Sequence, residues 1–71
     1  MISEQQKEVR QSLIKLRDEI VKATGGNLLY KPIVGKLDGL IKDMETKEFP
    51  PDKLNSTQAV FGNIAATLGV K

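Results

Sequence analysis

Carboxylates are the side chains in this sequence that could do acid–base chemistry. Five of them lie between residues 27 and 53: Asp38, Asp43, Glu45, Glu48 and Asp52. Catalysis by two carboxylates needs a pocket that moves their pKa values apart, and five lysines share the same segment. The chain has no cysteine and no histidine, so it offers no thiolate nucleophile and no imidazole base. We therefore expect a protein that is not an enzyme and that binds neither a cofactor nor a metal ion.

The length and composition favour a single helical domain over residues 1–71. Of the 71 residues 39% are hydrophobic, and 11 basic against 9 acidic residues give a net charge of +2. No apolar run approaches the ~20 residues of a membrane span, and the polar first six residues do not resemble a secretory signal. The expected location is therefore the cytoplasm, without a membrane span.

Apolar spacing predicts a first helix over residues 3–24. Ser3 and Gln6 fit a capping box at its start, and Gly25 is typical of a residue that ends a helix. Between these signals, apolar residues recur at steps of four, three and four: Val9, Leu13, Leu16 and Ile20. This period places them on one face of an amphipathic helix.

A second helix is predicted over residues 32–46. It opens at Pro32, because proline suits the first position of a helix. The same apolar steps recur within it: Ile33, Leu37, Leu40 and Met44. Gly35 and Gly39 weaken this helix, and they allow either a close crossing with a neighbouring helix or a local bend.

A third helix is predicted over residues 55–68, after the break at residues 49–52. Asn55 or Ser56 is the expected N-cap, with at most one turn opened by Pro51 before it. Gly69 resembles a Schellman stop onto which Val70 folds back. The expected fold is all-α, a small three-helix bundle in an antiparallel up-down arrangement, because the connections are short.

The third predicted helix is unusual in its lack of charge. Between residues 54 and 71 only Lys71 is charged. A stripe of small residues runs along it, formed by Ala59, Gly62 and Ala66 with Asn63 beside them. Interface centres are depleted of charge, so this stripe could contact another protein or a second copy of the chain. The alternative is a short helix that simply carries polar residues or frays at its end.

Two further apolar features could contact a partner. Ile14 and Val21 lie about 120° from the main stripe of the first helix, with Arg10 and Arg17 in the gap. They indicate either a partner surface or a core edge along which the arginine stems lie. Tyr30 combines a large apolar body with a polar tip, which is typical of binding hot spots and also of core edges.

Residues 61–70 resemble the first half of a helix-turn-helix, through Ile64, Ala65, Leu68, Gly69 and Val70. The basic residues of the first helix alternate with acidic ones, which is typical of a solvated face, so nucleic acid is the less favoured partner. The expected function is a non-enzymatic protein–protein interaction module, such as a small helical inhibitor, regulator or assembly factor. It would act through its low-charge third helix. The alternative is a nucleic-acid-binding regulator.

Overall fold

The computed structural model of the chain describes residues 2–69, in which three α-helices follow one another. Helix α1 spans Glu4–Thr24, α2 spans Lys31–Thr46 and α3 spans Pro51–Thr67, and a short 3-10 turn covers Leu28–Tyr30. Side chains from the start of α1 reach the end of α2, whereas Gln5 of α1 reaches Asn55 near the start of α3. The helices therefore run up, down and up, and the expected all-α three-helix bundle is confirmed.

Local capping signals fix both ends of α1. The Ser3 hydroxyl oxygen accepts a hydrogen bond from the backbone N–H of Gln6 at 3.1 Å, which satisfies one of the free donors of the first turn. Gly25 ends the helix in the left-handed conformation, with φ of 61°, a region that side-chain-bearing residues rarely adopt. Both predicted boundaries agree with the structure to within one residue.

Three amphipathic faces meet in one hydrophobic core. Its buried residues come from all three helices: Val9, Leu13, Ile20, Leu37, Ile41, Met44, Leu54, Phe61 and Ala65. The rest of the predicted stripes, including Leu16, Ile33 and Leu40, lie half-buried at the edge of this core. Gly35 and Gly39 are exposed, and nothing lies within 4 Å of a Cβ added at either position, so neither marks a close crossing.

Helix α3 begins at Pro51, four residues before the predicted start. Pro50 is extended, with φ of −62° and ψ of 149°, and its carbonyl oxygen accepts from the N–H of Leu54 at 3.1 Å. Pro51 has the fixed φ of a first helical residue and no N–H to leave unsatisfied, so the helix starts there without a side-chain cap. Asn55 consequently lies inside the helix and is not its N-cap. Leu54 enters the core as a result.

The end of α3 agrees with its sequence signals. Gly69 has φ of 78°, and its N–H donates to the carbonyl oxygen of Ala66 at 3.1 Å. Val70, expected to fold back on the helix, lies outside the described residues. Within residues 2–69 no helix is both long and apolar enough to cross a membrane.

Candidate functional site

Helices α2 and α3 are separated by an open groove. Helix α1 packs closely on both of them, whereas the backbones of α2 and α3 hardly approach each other. The space between them is about 560 Å³ and is lined by Ile33, Lys36 and Leu40 of α2 and by Lys53, Ser56, Thr57, Val60, Phe61 and Ile64 of α3. This space is called the α2–α3 groove below.

The lining of the groove follows from helical periodicity. Steps of three and four along α2, and of three to four along α3, place these residues on the flank of each helix beside its buried stripe. Phe61 is buried at the base of the groove, whereas Val60 leaves 54% of its surface exposed. Val60 is therefore a large apolar side chain that the bundle itself does not cover.

The electrostatics of the groove are one-sided. Lys36 and Lys53 are its charged lining residues, and no carboxylate lines it. The Nζ atom of Lys53 lies 4.9 Å from the centre of the Phe49 ring, a cation–π contact that holds the ammonium near the groove mouth. The groove thus combines an apolar floor with two cationic groups at its rim.

The groove continues towards the end of the bundle that carries the 3-10 turn. A second space of about 340 Å³ is lined there by Tyr30, Ile33, Asn63, Ile64, Thr67 and Leu68. Because Ile33 and Ile64 line both spaces, the two are continuous along the α2–α3 seam. This seam runs beside most of α3, a helix of 17 residues, or ~25 Å.

The predicted small-residue stripe lies on the other side of α3. Ala59 and Ala66 are exposed and Gly62 is half-buried, and none of the three lines the groove. Nothing lies within 4 Å of a Cβ added at Gly62. Asn63 and Tyr30, by contrast, come together at the far end of the groove. Of the predicted contact residues, only this pair belongs to the α2–α3 seam.

The predicted surface on α1 lies along its packing edge with α2. Ile14 is half-buried against the core, and the two arginines beside it bind α2. Arg10 Nε donates to the carbonyl oxygen of Ile41 at 3.1 Å, and an Arg17 guanidinium nitrogen donates to an Asp38 carboxylate oxygen at 2.6 Å. The hydrogen bond to Asp38 is the main cause that raises the pKa of Arg17 above its ordinary value.

Val21 lies apart from Ile14, near the 3-10 turn. It is 43% exposed and lines a small space of about 120 Å³ together with Tyr30 and Leu28. The structure therefore brings Val21 and Tyr30 together, and Tyr30 and Asn63 together, but it does not unite all seven predicted residues in one site.

Sequence analysis missed the groove itself. Its α3 side is formed by Lys53, Ser56, Thr57 and Val60, which were not among the predicted contact residues. A signal was present, because Val60 and Ile64 lie at helical spacing on the flank of α3 opposite the small-residue stripe. That signal becomes informative only when the position of α2 is known.

The carboxylates of the middle segment are engaged mainly in ion pairs. Asp38 contacts Arg17, Asp43 lies 3.7 Å from Lys47, and Glu45 lies 3.7 Å from Arg10. Within residues 2–69 no group of three or more carboxylates is placed to hold a metal ion. This part of the chain thus uses its carboxylates to tie together the surface of the bundle.

The helix-turn-helix resemblance can be examined at the end of α3. Ala65 is buried and Gly69 makes a left-handed turn, as an ordinary helix end requires. Helix α3 is the last element of the described chain, so residues 2–69 contain no following recognition helix.

In comparisons with known proteins, no protein-family model, no curated protein and no solved structure matches this chain.

Proposed function

We propose that this chain is a non-enzymatic protein-binding module whose α2–α3 groove receives an amphipathic helix of another protein. The observation that carries the proposal is the open apolar groove between two helices that α1 holds apart. Recognition of a helix in a hydrophobic groove is a recurrent mode of protein binding. An inhibitor or an assembly factor that captures a helix would work in this way.

The shape of the groove suits a fourth helix. A helix laid along the α2–α3 seam would complete a four-helix bundle, in which helices bury their apolar faces in one shared core. It would cover Val60 and the half-buried residues Ile33, Leu40 and Ile64. Covering the exposed half of Val60 alone contributes ~1 kcal/mol.

The charge of the groove indicates the character of its occupant. Lys36 and Lys53 border the groove without a lining carboxylate, so acidic residues on both flanks of the incoming helix would be attracted. Residues 54–69 carry no charge, so beyond Lys53 an apolar stripe on the partner meets no charged group of α3. The proposed occupant is therefore a helix with apolar residues at steps of three and four, flanked by Asp or Glu.

A different protein fits the groove better than a second copy does. Within residues 2–69 the exposed large apolar residues are Val21, Leu28, Leu29 and Val60. Only Val60 belongs to the groove, and the other three do not form one stripe on a helix. The apolar faces of α1, α2 and α3 are already turned into the core, so a folded second copy has no free amphipathic helix to offer.

The test uses a synthetic helical peptide of 17 residues, the length of α3. The peptide carries leucines at steps of three and four and glutamates on both flanks, and its matched variant replaces every glutamate by lysine. Exposed ion pairs contribute ~0.2–1 kcal/mol each, and like charges oppose binding by a similar amount. Calorimetric titration should therefore give a dissociation constant roughly tenfold lower for the acidic peptide.

Two matched variants locate the binding surface. Val60→Glu places a carboxylate in the groove and should weaken binding of the acidic peptide by roughly tenfold or more, whereas Ala66→Glu places it on the small-residue side and should leave binding unchanged. Equal affinity for both peptides, or loss of binding in Ala66→Glu instead, would contradict the proposal. Sedimentation equilibrium of the unliganded protein checks the remaining outcome, since a dimer disrupted by Val60→Glu would assign the groove to a second copy.

Nucleic-acid binding is the less supported alternative. Both arginines of α1 contact α2, and α3 carries Asp52 and Lys53 as its charged residues. Such a surface is not the clustered positive charge that phosphate binding needs.

The cytoplasm is the location we propose for the module, and cell fractionation would check this.

A further inference from the structure

The most exposed apolar side chains lie at one end of the bundle. Leu28 is 76% exposed and Leu29 is 81% exposed, both on the 3-10 turn between α1 and α2. Val21 and Tyr30 stand next to them around the small space of 120 Å³. These four residues are called the apolar tip below.

The tip is held in place by hydrogen bonds of the turn. The Asn27 side-chain oxygen accepts from the backbone N–H of Leu29 at 2.9 Å, and the Asn27 carbonyl oxygen accepts from the N–H of Tyr30 at 3.1 Å. The N–H of Asn27 donates in turn to the carbonyl oxygen of Thr24 at 3.1 Å. The two leucines therefore lie on a hydrogen-bonded turn and are exposed outside the core.

The charges closest to the two leucines along the chain are positive. From residue 20 to residue 37 the charged residues are Lys22, Lys31 and Lys36, with no carboxylate among them. Lys22 and Lys31 are exposed, and Lys31 lines the same small space as Val21. The adjoining end of α3 is uncharged through residue 69. Asp18, one turn before Val21, lies 3.3 Å from Arg17, so the charges closest along the chain to Leu28 and Leu29 are the lysines, which attract an anionic surface.

We propose that the apolar tip inserts Leu28 and Leu29 into the surface of an anionic lipid bilayer. Leucines at the boundary of the acyl chains, with lysines at the level of the headgroups, are typical of interfacial membrane contacts. The tip lies at one end of a molecule that measures 36 × 19 × 15 Å. The tip consists of four side chains, whereas a stable protein interface uses about 20–30 residues on each side. A fluid bilayer requires no matching shape.

Vesicle binding tests this inference with a probe that the chain already contains. Tyr30 belongs to the tip and is the single tyrosine, and there is no tryptophan, so tyrosine emission measured without peptide reports on the surroundings of Tyr30. Vesicles of phosphatidylcholine with phosphatidylserine should bind the protein and change this emission, and added salt should weaken the binding. Vesicles of phosphatidylcholine alone should bind clearly less.

Surface variants then assign the contact. Replacing Leu28→Ser and Leu29→Ser should lower the partition coefficient by about tenfold for each leucine, and Lys31→Gln by about fivefold. Ala59→Ser is the control, since Ala59 is an exposed apolar residue outside both the tip and the groove and its replacement should leave vesicle binding unchanged. Circular dichroism of every variant verifies that the helices are intact.

Three results would overturn the inference. These are binding without preference for phosphatidylserine, binding that survives replacement of both leucines, and self-association without lipid that the same replacements abolish. The last result would assign the tip to a second copy. The inference does not depend on the groove, because the leucine variants should still bind the acidic peptide and Val60→Glu should still bind vesicles. Failure of one proposal is therefore distinguishable from failure of the other.

Discussion

Gln6 is the buried polar side chain of the core, with 1% of its surface exposed, and its replacement should be unusually costly. Its Nε2 group donates to the carbonyl oxygens of Met44 and Lys47, and its Oε1 atom accepts from the backbone N–H of Phe49 at 2.8 Å. One side chain on the first turn of α1 thereby satisfies backbone hydrogen-bonding groups in the last turn of α2 and in the connection to α3.

The expected loss can be worked from these contacts. Gln6→Met keeps the volume of the side chain but removes all three hydrogen bonds, each of which contributes ~1 kcal/mol net. The free energy of unfolding should therefore fall by about 3 kcal/mol. A domain of this length has about 4–10 kcal/mol in total. The melting temperature should fall by roughly 10–20 °C.

Urea and thermal unfolding followed by circular dichroism measure this effect. The matched control is Gln11→Met, because Gln11 lies on the same helix but is exposed. It should change the free energy of unfolding by no more than about 0.5 kcal/mol. A loss at Gln6 no larger than the loss at Gln11 would refute the reasoning, since the buried hydrogen bonds would then contribute nothing.

Replacing Gln6 by a titratable residue tests whether stability falls or rises with pH. Gln6→Glu places a carboxyl group in a buried site beside two carbonyl oxygens, which raises its folded-state pKa above the ~4.3 of the unfolded chain. Relative to the wild type, this variant should be most stable below the unfolded pKa and lose stability as pH rises through the folded pKa. Unfolding curves recorded across that range would contradict the assignment if the relative stability rose with pH instead.

The remaining predictions concern the surface of the bundle. Gly35→Ala and Gly39→Ala should each raise the free energy of unfolding by up to ~1 kcal/mol, because a Cβ at either position meets nothing within 4 Å; a fall in melting temperature would contradict this. A double-mutant cycle of Arg17→Met and Asp38→Asn should give ~0.5 kcal/mol, because the pair is partly exposed. Since the pKa of Arg17 is raised, this coupling is present below the unfolded pKa and should persist from neutral pH to ~12. A rise of pH through the folded value would remove it, and a loss near neutrality in chemical denaturation would contradict the prediction.

The boundaries of α1 could be predicted because their causes are local. The hydroxyl of Ser3 reaches the N–H of Gln6 within one turn, and Gly25 ends the helix because glycine readily adopts the left-handed conformation. Gln6 shows the limit of such reasoning, because its side chain binds α2 and the following connection and does not return to Ser3 as a capping box would. Its spacing of seven residues from Leu13 is a signal for the core face, but Gln6 was interpreted only as a capping residue.

Two sequence signals gave different starts for α3, the N-cap preference of Asn55 and the fixed φ of Pro51, and the sequence alone does not decide between them. Asn55 is a better N-cap than Pro50 by side-chain chemistry, yet the fixed φ of Pro51 begins the helix earlier. The early start is reinforced by tertiary contacts, because Leu54 is buried and the N–H of Phe49 is bound by Gln6. Neither contact can be read from residues 49–56 alone.

The lack of charge on α3 favoured a role in binding but did not indicate which side of the helix would make the contact. Residues 54–69 carry no charge on any side, so absence of charge favours the side of Ala59 and the side of Val60 equally. What distinguishes the two sides is the position of α2, which brings Lys36 and Leu40 opposite Val60 and leaves Ala59 facing solvent. That position results from the packing of both helices on α1, including the contacts of Arg17 with Asp38. The side of α3 that we propose as the binding side thus depends on residues more than ten positions away in the chain, and the variants of Val60 and Ala66 test that assignment directly.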